Sequence, residues 1–166
     1  MRTAKAAAAA LLAAGFAAVP AAAASADPLP APEVAWVGQN VIVTGADADS
    51  AAVLAKYRCY GGEEGTHLWV SVKQGGADLE GEGSSQRATS WYDTNYHYAQ
   101  DPAGLTVDCD GHWHTTRFVL KRVAGKAPLV DGPAWVQFCL FDSSSTEDNF
   151  PTGFASDSSW KTVRTP

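Results

Sequence analysis

The chain reads as an all-β domain of about eight or nine strands packed as an antiparallel sandwich, preceded by a leader for export. Two observations carry the fold class. Short β-branched and aromatic runs recur between clusters of Gly, Asp and Ser, and no stretch after the leader sustains a helical period. The 166 residues, less that leader, match the size of one domain with one core.

The leader is residues 1–26. Arg2 and Lys5 precede an apolar run, residues 6–19, and small residues end it at Ala24-Ser25-Ala26, the charged, apolar, small-residue order of a secretory signal. Pro20 interrupts the run, which falls short of the roughly 20 residues that cross a bilayer. No cysteine stands at the cleavage point to accept lipid. The expectation is a secreted, extracellular product with no membrane anchor. Residues 27–33, with Pro28, Pro30 and Pro32, form an extended lead-in, because each proline removes a backbone donor and restricts its neighbour. Residues 34–166 are the folded domain.

Within it, residues 34–37 and 41–44 are short strands at an edge. In residues 51–60, Val53, Ala55, Tyr57 and Cys59 alternate with Leu54, Lys56 and Arg58, the period of two of a half-buried strand. Leu68, Val70 and Val72 alternate in the same way with Trp69, Ser71 and Lys73, and a glycine-rich tip at 61–65 links the two runs. Residues 75–85 hold four glycines and three acidic residues and read as a mobile loop. A strand follows at 87–92. Residues 105–109 and 112–120 form a predicted hairpin about Asp110-Gly111, a pair suited to a two-residue type I′ turn. Residues 134–141 and 160–164 supply the last two strands.

Three cysteines in an oxidising compartment imply one bridge and one spare thiol. Cys59 and Cys109 each end an inward apolar face and are the favoured pair; Cys139 lies on the side of Trp135 and Gln137. Cys59, Trp69 and Cys109, a cysteine on one strand, a tryptophan on the next and a later cysteine, resemble an immunoglobulin core, although Val107 stands where that family places a tyrosine. With the segments Tyr57-Arg58-Cys59, Thr66-His67-Leu68-Trp69-Val70-Ser71-Val72-Lys73-Gln74, Cys109-Asp110-Gly111 and Trp135-Val136-Gln137-Phe138-Cys139, the chain is similar to small secreted immunoglobulin-like β-sandwich proteins of high-GC bacteria. That resemblance implies a sandwich and export. It implies no activity.

The predicted hairpin sets His112 across from Cys109 and His114 across from Val107, on one face. His-x-His on a strand aims two imidazoles the same way, and a sulfur beside them suits zinc or Cu(I). Cys109, His112 and His114 therefore define the alternative reading, an extracytoplasmic metal-binding protein. A bonded Cys109 would instead leave both histidines capping the core. Acidic loops at 47–50 and 142–149 lack a complete calcium signature, and no cofactor is expected.

The principal reading is a binding or interaction module. Trp91, Tyr92, Tyr96 and Tyr98 are its candidate contact residues, because flat aromatic rings flanked by Asp93 and Asn95 stack on sugars or on a partner's apolar anchors. Trp36, Trp69 and Trp135 are read as structural. An extracellular protein or a glycan is the expected partner. Nucleic acid is not, since the chain carries net charge −6 and its basic residues are scattered. No catalysis is expected: there is no Gly-x-Ser-x-Gly elbow, no His-Glu-x-x-His helix and no phosphate-cradling glycine loop.

Overall fold

The computed structural model describes residues 30–60, 66–94, 107–142 and 155–166. The leader, Tyr96 and Tyr98 lie outside these residues. Eight strands and one short helix follow in order: β1 (Glu33–Val37), β2 (Asn40–Thr44), β3 (Ser50–Arg58), β4 (Thr66–Gln74), α1 (Ser84–Arg87), β5 (Ser90–Asp93), β6 (His114–Arg122), β7 (Gly132–Asp142) and β8 (Ala155–Arg164).

The expected sandwich is not what forms. Hydrogen bonding runs β3-β2-β8-β7-β4-β5-β6 and returns from β6 to β3, so seven strands close into a barrel. β1 is the eighth strand. It pairs with β3 on the same edge as β2 but further along, Val37 against Ala55 where Ile42 faces Ala52. Gly38 bridges the two ladders by donating its N–H to the Leu54 carbonyl, 2.7 Å away.

Two contacts separate this barrel from an immunoglobulin-like sandwich. β5 pairs with β6 through Tyr92 and Arg122, and β2 pairs in parallel with β8, Asn40 facing Thr162 and Ile42 facing Arg164. Closure satisfies edge donors and acceptors that a sandwich leaves open. Alternation reports only which face of a strand is buried, and both architectures bury one face of each strand.

The barrel interior holds the inward parity of each strand: Val41 and Val43, Val53, Ala55 and Tyr57, Val70 and Val72, Tyr92, Phe118 and Leu120, Val136, Phe138 and Leu140, and Val163. Phe138 is fully buried and packs 5.4 Å from Phe118, centroid to centroid. Burying such a side chain stabilises by about 2–3 kcal/mol. Two polar tips inside find partners, as buried hydroxyls must. Tyr57 Oη accepts from the Asp108 N–H at 3.2 Å, and Tyr92 Oη donates to the Ala48 carbonyl and accepts from the Leu129 N–H.

The predicted hairpin at Asp110-Gly111 does not form either. Residues 107–113 contain no strand, and β6 pairs with β3, Tyr57 facing His114, and with β5. Gly111 has φ +84°, and its N–H donates to the Cys59 carbonyl at 2.9 Å. The turn thus serves the neighbouring β3 end. Cys59 and Cys109 are joined there by a disulfide spanning 50 residues, and Cys139 remains a buried free thiol.

Candidate binding face

Four adjacent strands, β5-β4-β7-β8, turn an unusual set of side chains away from the core. Register places them in rows. Lys73 lies between Trp91 and Trp135, and Trp135 faces Trp160. One step along, Ser71 lies between Asp93 and Gln137, and Gln137 faces Ser158. The last row sets Cys139 between Trp69 and Ser156. Four tryptophans thus frame a polar centre.

The segment between β4 and β5, read from its glycines as a mobile loop, crosses this face as an ordered cover. Arg87 holds it together: its guanidinium donates to the carbonyls of Ala77, Glu82 and Asp78, at 3.3, 2.8 and 2.8 Å, and meets the Asp78 carboxylate at 3.1 Å. Leu79 and Ala88 are buried. Gly76, at φ +109°, runs so close to Arg87 that an added Cβ would sit 2.5 Å from the Arg87 carbonyl oxygen. Glycine is required there for space as well as for backbone angle.

Beneath the cover, Lys73 is only 2% exposed. Its ammonium donates to Ser84 Oγ at 2.7 Å and to Gln137 Oε1, and lies 5.8 Å from the Trp69 ring. Burial lowers its pKa, with Asp93 pulling the other way. Asp93 accepts from the indole N–H of Trp69 at 2.8 Å and of Trp91 at 3.2 Å. Burial pushes the Cys139 thiol up to about 12, and Lys73 opposes the shift. Ser71 Oγ and Trp135 Nε1 are buried without a hydrogen-bond partner among the described residues.

The cover leaves a cleft of about 210 Å³, lined by Trp69, Glu80, Glu82, Ser85 and Gln137 with Lys73 and Ser84 in its floor. Trp160, 47% exposed, stands beside it; its indole donates to Glu80 Oε1 at 2.7 Å, and its ring meets Trp135 edge-on at 5.6 Å.

Of the contact residues expected from sequence, Trp91 lies half-buried in this face. Tyr92, its neighbour of opposite parity, points inward and is fully buried, so its ring belongs to the core. Trp69 and Trp135, read as structural, belong to the outer face. The parity of Trp69-Ser71-Lys73 and Trp135-Gln137-Cys139 against their valine, phenylalanine and leucine partners was the available signal. What it lacked was the pairing of β4 with β7, which brings the two sets together.

The residues of the metal reading fall beside the C-terminal end of β3, away from this face. The disulfide removes the Cys109 sulfur as a thiolate donor. His114 Nε2 lies 2.7 Å from Asp110 Oδ1, and the exposed His112 imidazole lies 3.4 Å from Asp110 Oδ2. Hydrogen bonds from the His114 ring and the His112 N–H hold the Asp110 carboxyl down at about 2. Among the described residues no three His, Cys, Asp or Glu side chains are grouped to hold a metal ion.

A second aromatic face lies across the barrel on β1, β3 and the start of β6. Trp36, also read as structural, is exposed there with Leu54 and Trp113, and Lys56 and Arg58 lie 5.7 and 4.8 Å from the Trp113 ring.

No family model matches the chain. It is 30% identical over 104 residues to a 5-methyltetrahydropteroyltriglutamate–homocysteine methyltransferase of Kali turgidum, a match over 60% of this chain and 13% of that protein's length. Among solved structures it is similar to a bacterial adhesin from Mobiluncus mulieris containing intramolecular disulfide, isopeptide and ester bond cross-links. That match has 12% identity and a TM-score of 0.32, and covers 81% of this chain and 58% of the adhesin chain. A likeness at that level carries no argument about fold or function. What the structure defines is a disulfide-stabilised all-β domain. Among its described residues no helix is long and apolar enough to cross a membrane.

Proposed function

We propose that the chain is an exported, non-catalytic binding module whose ligand is a glycan held on the β5-β4-β7-β8 face. One observation carries this reading: tryptophans frame a polar cleft on a single outward sheet face, with Trp69, Gln137 and two carboxylates lining it and Trp160 at its side. Apolar sugar faces stack on indole rings, and ring hydroxyls exchange hydrogen bonds with carboxylate and carboxamide groups. The acidic rim formed by Glu80 and Glu82 favours a neutral or amino sugar over an acidic one.

The test is a tryptophan-fluorescence titration with cellohexaose and chitohexaose. Saturable quenching by one of them, weakened at least about tenfold in Trp160→Ala and Trp69→Ala, is the expected result. Equal affinity in wild type and both variants, or no saturable signal with either sugar, overturns the reading. Export is tested separately: N-terminal sequencing of protein recovered from the medium should begin at Asp27.

A further inference from the structure

The two buried lysines of the described structure are treated differently. Lys161 Nζ donates to the Val37 carbonyl at 2.9 Å and lies 4.0 Å from the Asp157 carboxylate, an ordinary way to hold a cation in the interior. Lys73 instead directs its amine at two uncharged side chains, the Gln137 carboxamide and the Ser84 hydroxyl. Burial weakens its hold on the proton, which leaves a larger share of nucleophilic neutral amine than a surface lysine carries.

Gln137 is the diagonal neighbour of Lys73 across the β4–β7 ladder, since Lys73 faces Trp135 and Gln137 faces Ser71. Such diagonals lie about 7–8 Å apart at the backbone, well within the joint reach of a lysine and a glutamine. An amine in hydrogen-bond contact with a carboxamide oxygen is one bond away from its carbon. Fixed by two strands and a cover, the pair gains the large effective concentration of an intramolecular reaction.

We propose that Lys73 and Gln137 condense to an intramolecular amide that covalently joins β4 to β7. Nζ of the neutral amine forms a bond to Cδ of Gln137, the Cδ–Nε2 bond breaks, and one proton passes from Nζ to the departing nitrogen, which leaves as ammonia. No oxidant or other reactant is consumed. Ser84 Oγ, 2.7 Å from Nζ, is placed to relay that proton. Buried Asp93, close enough to act electrostatically on Lys73, stabilises positive charge on the attacking nitrogen. The link needs no ligand but shares Gln137 with the glycan reading; a mass measured without sugar tests the link alone, so either reading can fail without the other.

The experiment is intact-mass measurement and tryptic mapping of the full chain exported to an oxidising compartment. The wild type is expected to be lighter than its processed, disulfide-bonded sequence by the mass of one ammonia. Trypsin should fail to cut after Lys73, and a branched peptide should join β4 to β7. Lys73→Arg and Gln137→Asn should each restore the full mass, and either variant alone suffices if the other does not fold. The proposal is overturned by a wild-type mass that the disulfide alone explains, with Lys73 open to reductive methylation after denaturation. It is equally overturned by an ammonia loss that persists in Lys73→Arg.

Discussion

The two aromatic faces of the barrel obey the same alternation and differ in cover. On β1, β3 and β6, Trp36, Leu54 and Trp113 stand in solvent with Lys56 and Arg58 stacked beside them, and Arg58 also pairs with Glu33. On β5-β4-β7-β8, outward-pointing polar side chains are buried: Ser71, Lys73, Asp93 and Cys139 all fall below one-tenth exposure, and the crossing segment reaches Lys73 through Ser84. An outward parity therefore does not mean an exposed residue. The covered face acquires shifted pKa values, orphaned donors and a cleft, while the open face keeps flexible cations over rings, an arrangement worth only about 0.5–1 kcal/mol each at exposed sites.

Cutting the disulfide gives the largest test of this contrast. In the chain-entropy view a 50-residue loop is worth about 4 kcal/mol. Cys59→Ser with Cys109→Ser should lower the unfolding free energy by that order in urea melts, and should loosen residues 107–113, which carry Trp113, before the covered face. Gly76→Ala should cost about 2 kcal/mol, because its Cβ collides with the Arg87 carbonyl and the backbone angle is left-handed. The same variant should make Cys139, unreactive to iodoacetamide in the native wild type, alkylate without denaturant. A lesser effect, about 0.5–1 kcal/mol, is expected for Trp113→Ala, with the covered face unaltered by hydrogen exchange.

The smallest test is in acid. Asp110 has a folded pKa of about 2 against an ordinary 3.8, so the folded state binds fewer protons between these values and stability rises with pH there. Its contribution is present above about pH 4 and is lost as pH falls toward 2. Asp110→Asn should flatten that limb of the pH–stability curve, read from urea melts between about pH 2 and pH 4.

Much of the wall pattern was legible in the residues. Val53, Ala55 and Tyr57 point inward because a strand alternates, and Cys59 continues that parity to the bridge. Strand order was not legible, because the β2–β8 pair that completes the barrel joins residues more than a hundred positions apart and leaves no local trace. Asp110-Gly111 carried a strong hairpin signal that tertiary pairing overrode, with β3 taking the Gly111 donor. Residues 75–85 had the composition of a mobile loop, yet a single arginine beyond their end orders them. The aromatic run from Trp91 marks Trp91 and Tyr92 alike as contact residues, but alternation along β5 sends Tyr92 into the core and leaves Trp91 on the face.

The parallel contact between Asn40–Ile42 and Thr162–Arg164 also sets a timetable. β2 and β3 are among the earliest strands to be synthesised, but their cylinder has a gap until β8 arrives. Topologies dominated by such distant partners fold slowly, because loop entropy is spent before the contact repays it. A chain of this order stays open while it is being made, and seals only after its closing strand has been synthesised.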